Sequence, residues 1–257
     1  MSVASPSDRL PGRRRIEHVM GMPIIVDIRD ESVDEEALDT VFAWFRFVDE
    51  LFSTYREDSE ISRLNRDELA IHDASPLVRA VLQRCEELRA GTDGRFDVRA
   101  AARDTIDPSG LVKGWSVDRA GSILSVHGAR NWAINAGGDV LVAGGALPDE
   151  TWQIGIQHPT DRLSLAAVVE GTDLAVATSG DYERGKHVVD PLSGEAPEGV
   201  LSVSVRGPLL ADADAYATAA FAAGADAAEW TRTLPALGYE AMTILADGTV
   251  LTTPGWA

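Results

Sequence analysis

Met242-Thr-Ile-Leu-Ala-Asp-Gly-Thr-Val-Leu-Thr252 reads as two apolar runs folded back on each other across Asp247-Gly248, a pair suited to the backbone angles of a two-residue hairpin loop. A hairpin pairs its strands antiparallel, which sets the kind of sheet to look for upstream. Short candidate strands at 140–142, 152–156, 165–169, 174–177, 188–189 and 201–205 precede it, separated by Gly, Pro and Asp. Nearer the N-terminus, 24–28 reads as a strand. Leu38, Val41, Phe42, Phe45, Val48 and Phe52 then recur at helical spacing behind acidic residues, which marks a helix with a core-facing stripe. Pro76 opens a second helix running to about Leu88, and a third covers 115–126 before Gly128 stops it. Helices and strands do not alternate as βαβ units would. The fold class is therefore α+β, a single domain with a largely antiparallel sheet and flanking helices. We place this unit at 14–257, behind a flexible arm at 1–13 in a polar stretch broken by Pro6 and Pro11.

The chain has 257 residues, 45% of them hydrophobic, enough for a sizeable core. Its 41 acidic against 23 basic side chains give a net charge of −18, which argues against nucleic acid and anionic membrane surfaces as main partners. An anionic ligand would need local help from a metal, a lysine or backbone amides. The one cysteine, Cys85, excludes an intramolecular disulfide and a cysteine-rich zinc site. No run approaches the roughly 18 apolar residues of a membrane span, and no apolar signal region follows the N-terminus. The expected location is cytoplasmic.

Four segments carry chemistry. Ala211-Asp-Ala-Asp-Ala-Tyr-Ala-Thr-Ala-Ala-Phe-Ala-Ala-Gly224 is an alanine-rich helix holding two aspartates and a threonine. Asp214 and Thr218 lie one turn apart on one face, where a carboxylate and a hydroxyl can share a hard cation. The alternative is that Asp212 caps the helix and Asp214 is a solvated first-turn acid. Asp107-Pro-Ser-Gly-Leu-Val-Lys-Gly-Trp-Ser-Val-Asp118 places a glycine-flanked turn before a helix, with Lys113 and Gly114 at the entrance. Free amides and a lysine there suit a phosphate, though it is not the Walker pattern, and an ordinary loop with a surface lysine is the other reading.

Asn135-Ala-Gly-Gly-Asp139 follows a strand-like run, so Gly137 and Gly138 sit at a turn from which Asn135 and Asp139 can present polar groups to a ligand. A tight turn alone explains the glycines. Thr178-Ser-Gly-Asp-Tyr-Glu-Arg-Gly-Lys-His-Val-Val-Asp-Pro-Leu-Ser-Gly194 surrounds a very short strand beginning at His187. Ser179 lacks the nucleophile-elbow context, since Ala177 stands two residues before it, and it reads as a ligand-binding hydroxyl. His187 is a candidate phosphate contact or proton relay, against the simpler reading of a hydrogen-bonded structural histidine.

Together and in order, these segments resemble the ApbE family of FAD:protein FMN transferases. The resemblance also takes in Met20-Gly21, Ser53-Thr-Tyr-Arg-Glu-Asp-Ser-Glu-Ile-Ser-Arg-Leu-Asn65 and Gly94-Arg-Phe-Asp97. It implies transfer of FMN from FAD, through a phosphoester bond, to a Thr or Ser hydroxyl of an acceptor flavoprotein, with release of AMP. It implies an FAD site containing Met20, Gly21, Tyr55, Phe96, Asp97, Asp107, Lys113, Asn135, Gly137, Gly138, Ser179 and His187, with Tyr55 stacking on an aromatic ring. It also implies Mg²⁺, or Mn²⁺, held by the Gly110 carbonyl and the side chains of Asp214 and Thr218, with Asp214 and His187 as catalytic candidates. Met22 and Arg99 stand where the family commonly has threonine. Two other functions share these residues: an FAD pyrophosphatase giving FMN and AMP, and a non-catalytic FAD-binding protein.

Overall fold

The computed structural model describes residues 11–100, 105–180 and 188–256. Among the described residues, eight strands form one antiparallel sheet: β1 (Arg13–Val19), β2 (Met22–Ile28), β3 (Trp132–Ala136), β4 (Asp139–Ala143), β7 (Leu174–Gly180), β8 (Val200–Gly207), β9 (Glu240–Leu245) and β10 (Val250–Thr252), adjacent in that order. β5 (Trp152–Gln157) and β6 (Leu165–Gly171) leave the sequence between β4 and β7 as a separate two-stranded ribbon. The α+β class with a largely antiparallel sheet is what the closing hairpin and the irregular alternation of elements predict.

The hairpin itself differs in detail. Gly248 has φ +85° while Asp247 does not enter the positive region. The Leu245 amide donates to Thr249 O at 2.9 Å, which gives a three-residue loop ending in a left-handed glycine. Genuine two-residue loops with two positive φ values lie elsewhere, at Met20-Gly21 between β1 and β2 and at Gly137-Gly138 between β3 and β4.

Helices cover one face of the sheet. α1 (Glu35–Phe52) buries all six residues of the apolar stripe. α2 (Glu60–Asn65) is short, and α3 (Pro76–Gly91) starts with Pro76 at its first turn and Ser75 capping the Val78 amide. α4 (Ser109–Val126) starts six residues earlier than the apolar pattern predicts, so Gly110 and Lys113 lie within the helix rather than in a loop before it. α5 (Leu210–Ala222) crosses α4 and packs on β7 and β8. Val188 and Val189 are not in a strand: although β-branched, they have no ladder partner among the described residues.

Two apolar clusters result among the described residues. The larger lies between helices and sheet and includes Phe42, Phe45, Ile24, Ile134, Leu111 and Phe221. The smaller lies on the opposite face, where β5 and β6 fold over Val142, Val176, Met242 and Ile244 with Trp152 and Trp256. The functional residues collect at the helix side, where α4 and α5 cross at the ends of β4 and β7.

Candidate active site

The helix crossing is unusually close. A Cβ built at Gly114 would fall within contact distance of the Leu210 carbonyl and 2.7 Å from the Ala211 nitrogen, so only glycine lets α5 begin there. Asp118, one turn further along α4, accepts hydrogen bonds from the Leu210 and Ala211 amides at 2.9 Å each. A carboxylate from α4 thus caps α5, satisfying two donors that its first turn leaves open. Burial pushes the Asp118 carboxyl up to about 6 despite those amides. Asp212 is not a cap: it accepts from Arg84 at 2.8 Å and faces the Tyr239 hydroxyl at 3.4 Å.

This crossing sets Lys113 against Asp214. Lys113 Nζ lies 3.4 Å from Asp214 Oδ1 and 2.7 Å from Asp139 Oδ2. Asp139 enters directly from the Gly137-Gly138 turn, and its Oδ1 accepts the Thr178 amide of β7 at 3.0 Å. Asp214 is 3% exposed and Asp139 1%, so both carboxylates are removed from water and the ammonium offsets their desolvation. Burial raises the Asp214 pKa, Lys113 pulls it down, and Asp139 pushes it up again. The reading of Asp214 as a solvated first-turn acid does not hold. Its Oδ2 is buried with no hydrogen-bond partner among the described residues.

Thr218 follows one turn along α5, its hydroxyl 3.4 Å from Ser179 Oγ at the end of β7. Gly110 faces the same point from α4: a Cβ there would lie 3.3 Å from the Phe96 ring and 3.5 Å from Thr218 Oγ1. Phe96 is buried, while Asp97 beside it accepts from Arg89 Nε at 3.1 Å and from the Arg99 amide at 2.8 Å. Asp107 accepts the Ser109 amide at 3.0 Å and so shapes the entry to α4. Asn65 pins the preceding residue, exchanging hydrogen bonds with the Ile106 backbone at 3.0 and 2.7 Å.

A cavity of about 270 Å³ is enclosed by these groups. Tyr55, Phe96, Asp97, Asp107, Gly110, Lys113, Ser179, Asp214 and Thr218 all line it. Tyr55 is 97% exposed at its mouth, on a loop held by the Ser59 hydroxyl bonding Ser53 O at 2.6 Å. Met20, Gly21, Asn135, Gly137 and Gly138 do not line it. They build the two neighbouring tight turns, where Asn135 Oδ1 accepts the Gly138 amide at 3.0 Å and Ser116 reaches Met20 Sδ at 3.8 Å. His187 lies outside the described residues.

Asp139 and Arg95 are the groups the residue-level reading leaves without a firm role. Asp139 had one local signal, a carboxylate straight after a glycine turn; Arg95 had none, since its proximity to residues 188–191 is set by tertiary folding.

The ApbE family model matches residues 20–104 and 99–242. The chain belongs to the ApbE family. Similar ApbE relatives named FAD:protein FMN transferase include one from Vibrio cholerae, 27% identical over 228 residues, covering 66% of this chain and 68% of that protein. Another, from Treponema pallidum, is 31% identical over 215 residues, covering 74% of this chain and 59% of its own. A third, from Rhodobacter capsulatus, is 34% identical over 160 residues, with the match spanning only 30% of its length. Solved ApbE structures share the fold: the flavin transferase ApbE from Vibrio cholerae superposes with TM-score 0.83 at 22% identity, covering 95% of this chain and 97% of that one. The ApbE protein of Thermotoga maritima gives TM-score 0.84 at 21% identity, over 94% and 97%.

Proposed function

We propose that this chain transfers FMN from FAD to a Thr or Ser hydroxyl of an acceptor protein. The observation that carries this is the convergence of Lys113, Asp214, Thr218, Ser179 and Gly110 on one cavity of an ApbE-family chain, with Asp139 holding Lys113 from behind. The acceptor oxygen forms a bond to the FMN phosphorus, the bond from that phosphorus to the AMP oxygen breaks, and AMP leaves with the electron pair. The hydroxyl proton must be taken up, and Asp214 and His187 are the candidates. A cavity of this size suits the pyrophosphate and part of one nucleoside, which would leave the rest of the dinucleotide to extend past Tyr55, whose exposed ring offers a stacking face.

The donors near Asp214 suit magnesium. Asp214 Oδ2 is a buried oxygen without a partner among the described residues, Thr218 adds a hydroxyl one turn away, and Gly110 faces that hydroxyl, a Cβ built there lying 3.5 Å from it. One carboxylate, one hydroxyl and one carbonyl match a hard ion that keeps open positions for substrate phosphate and water; Mn²⁺ accepts the same donors. When bound, the ion supplies Lewis-acid compensation of pyrophosphate charge. Lys113 supports the same end of the reaction from the protein, its ammonium held in place by Asp139.

No helix among the described residues is long and apolar enough to cross a membrane. Cys85 is buried and its thiol pushed up to about 12, which leaves it inert, and we propose the cytoplasm as the place of the reaction. The test is intact mass of a threonine-containing acceptor domain after incubation with the protein, FAD and Mg²⁺, alongside chromatography of nucleotides and an EDTA control. An FMN-sized mass gain matched by AMP supports the transferase. Free FMN and AMP with unmodified acceptor assign a pyrophosphatase instead, and intact FAD assigns a binder.

A further inference from the structure

Arg95 lines the cavity wall and is largely buried, yet its guanidinium makes no hydrogen bond among the described residues. Its one charge partner among the described residues is Asp190, with Nη1 3.6 Å from Oδ1, close enough for ion pairing and too far for a hydrogen bond. The two partners are unequally fixed. Asp190 is built into a tight turn: its amide donates to Glu195 O at 2.8 Å, its carbonyl accepts the Gly194 amide at 2.8 Å, and its Oδ1 accepts the Leu192 amide at 3.0 Å. Arg95 follows Gly94, whose φ is +80°, and carries a long side chain with five donors.

The charge around the cavity makes that guanidinium matter. Its described lining includes the carboxylates Asp97, Asp107 and Asp214 and only two cations, Lys113 and Arg95. Lys113 is already committed to Asp139 and Asp214. Asp97 has Arg89 to offset it, which leaves the remaining carboxylates opposing any polyanion that enters.

We infer that Arg95 is a phosphate-binding residue of the substrate site, held by Asp190 until a phosphate of the incoming dinucleotide takes over its guanidinium. The inference rests on the flavin-transfer reading. Binding exchanges one long ion pair for short charge-assisted hydrogen bonds, which a guanidinium makes two at a time to phosphate. Asp190 keeps its turn and stays where it is.

The test compares wild type with R95Q, R95K and D190N, all checked by thermal melting. Equilibrium binding is measured for FAD and for riboflavin, which shares the ring and carries no phosphate, and KM and kcat for FAD are measured with acceptor. R95Q should raise the Kd and KM for FAD by about tenfold while leaving kcat within about threefold and riboflavin affinity within about twofold. R95K should recover part of the loss. D190N keeps the acceptor for the Leu192 amide and releases the guanidinium, so its Kd for FAD should be equal to or lower than that of wild type. Equal losses in R95Q and D190N, or equal losses for FAD and riboflavin, would show a structural strap and overturn the inference. So would an R95Q variant with unchanged FAD affinity. A wild-type protein that neither binds nor consumes FAD would instead remove the flavin-transfer reading, and this inference with it.

Discussion

Asp214 meets two demands that pull in opposite directions. As a buried carboxylate with one oxygen lacking a partner among the described residues, it costs the fold free energy; as the proposed donor to a divalent ion, it needs that oxygen free. Asp214→Asn should therefore lower turnover by about a hundredfold or more while the melting temperature stays level or rises, a gain of about 1 kcal/mol. Lys113 retains Asp139 at 2.7 Å, so the variant does not strand the ammonium. Paired activity and melting measurements check this, and near-normal turnover at saturating Mg²⁺ would count against the proposed ion site. Asp118 gives a pH prediction. Its folded pKa of about 6 lies above the ordinary 3.8, so between those values the folded state holds more protons than the unfolded chain. Stability from this group is present at low pH and falls as pH rises through 4 to 6, by about 3 kcal/mol in all. Asp118→Asn can still accept an amide at the start of α5 and does not titrate. Urea unfolding at pH 4 and pH 7 should show the variant gaining on wild type as pH rises; a difference independent of pH would refute the linkage.

The α4 and α5 pair explains both what could be read in the chain and what could not. α1 was legible because Leu38 through Phe52 repeat at helical spacing and all face the core. The Asp214 and Thr218 pair was legible for the same local reason, one turn on one helix. The start of α4 was not, because Gly110 and Gly114 weaken the helical signal by about 1 kcal/mol each relative to alanine. The reason for glycine at 114 lies outside the helix, in the α5 backbone, while at 110 a Cβ would only press on the Phe96 ring. Strand order and the Lys113 to Asp139 pairing were hidden likewise, since they join residues brought together only by the sheet. Gly114→Ala tests the crossing. Alanine favours the helix locally, but its Cβ would meet rigid backbone at Leu210 and Ala211, so the net effect should be destabilisation of about 1–3 kcal/mol. Because the displaced element carries Asp214, Mg²⁺ affinity should fall as well. Denaturant unfolding together with Mg²⁺ titration separates the two effects, and a variant as stable as wild type would show that α5 yields easily.

At the scale of the whole molecule, the cavity draws on residues from Tyr55 to Ala222 and on both helical and strand elements. A ligand that touches them all stabilises the complete fold, so FAD with Mg²⁺ at a hundred times its dissociation constant should add about 2.7 kcal/mol to unfolding. A thermal-shift series in FAD concentration measures this; a shift produced equally by FAD and by free adenosine would indicate binding elsewhere. The cap that Asp118 places on the Leu210 and Ala211 amides carries a further consequence. It ties the middle of the helix bearing Lys113 to the first turn of the helix bearing Asp214, so neither can slide along the other without giving up that cap. In hydrogen-exchange terms those two amides belong to the slowest class, opening only when the entire protein opens, while amides of the turn at 190–195 exchange earlier. An inhibitor of this enzyme would meet a floor with one shape, and its rates of arrival and escape would be set at the rim.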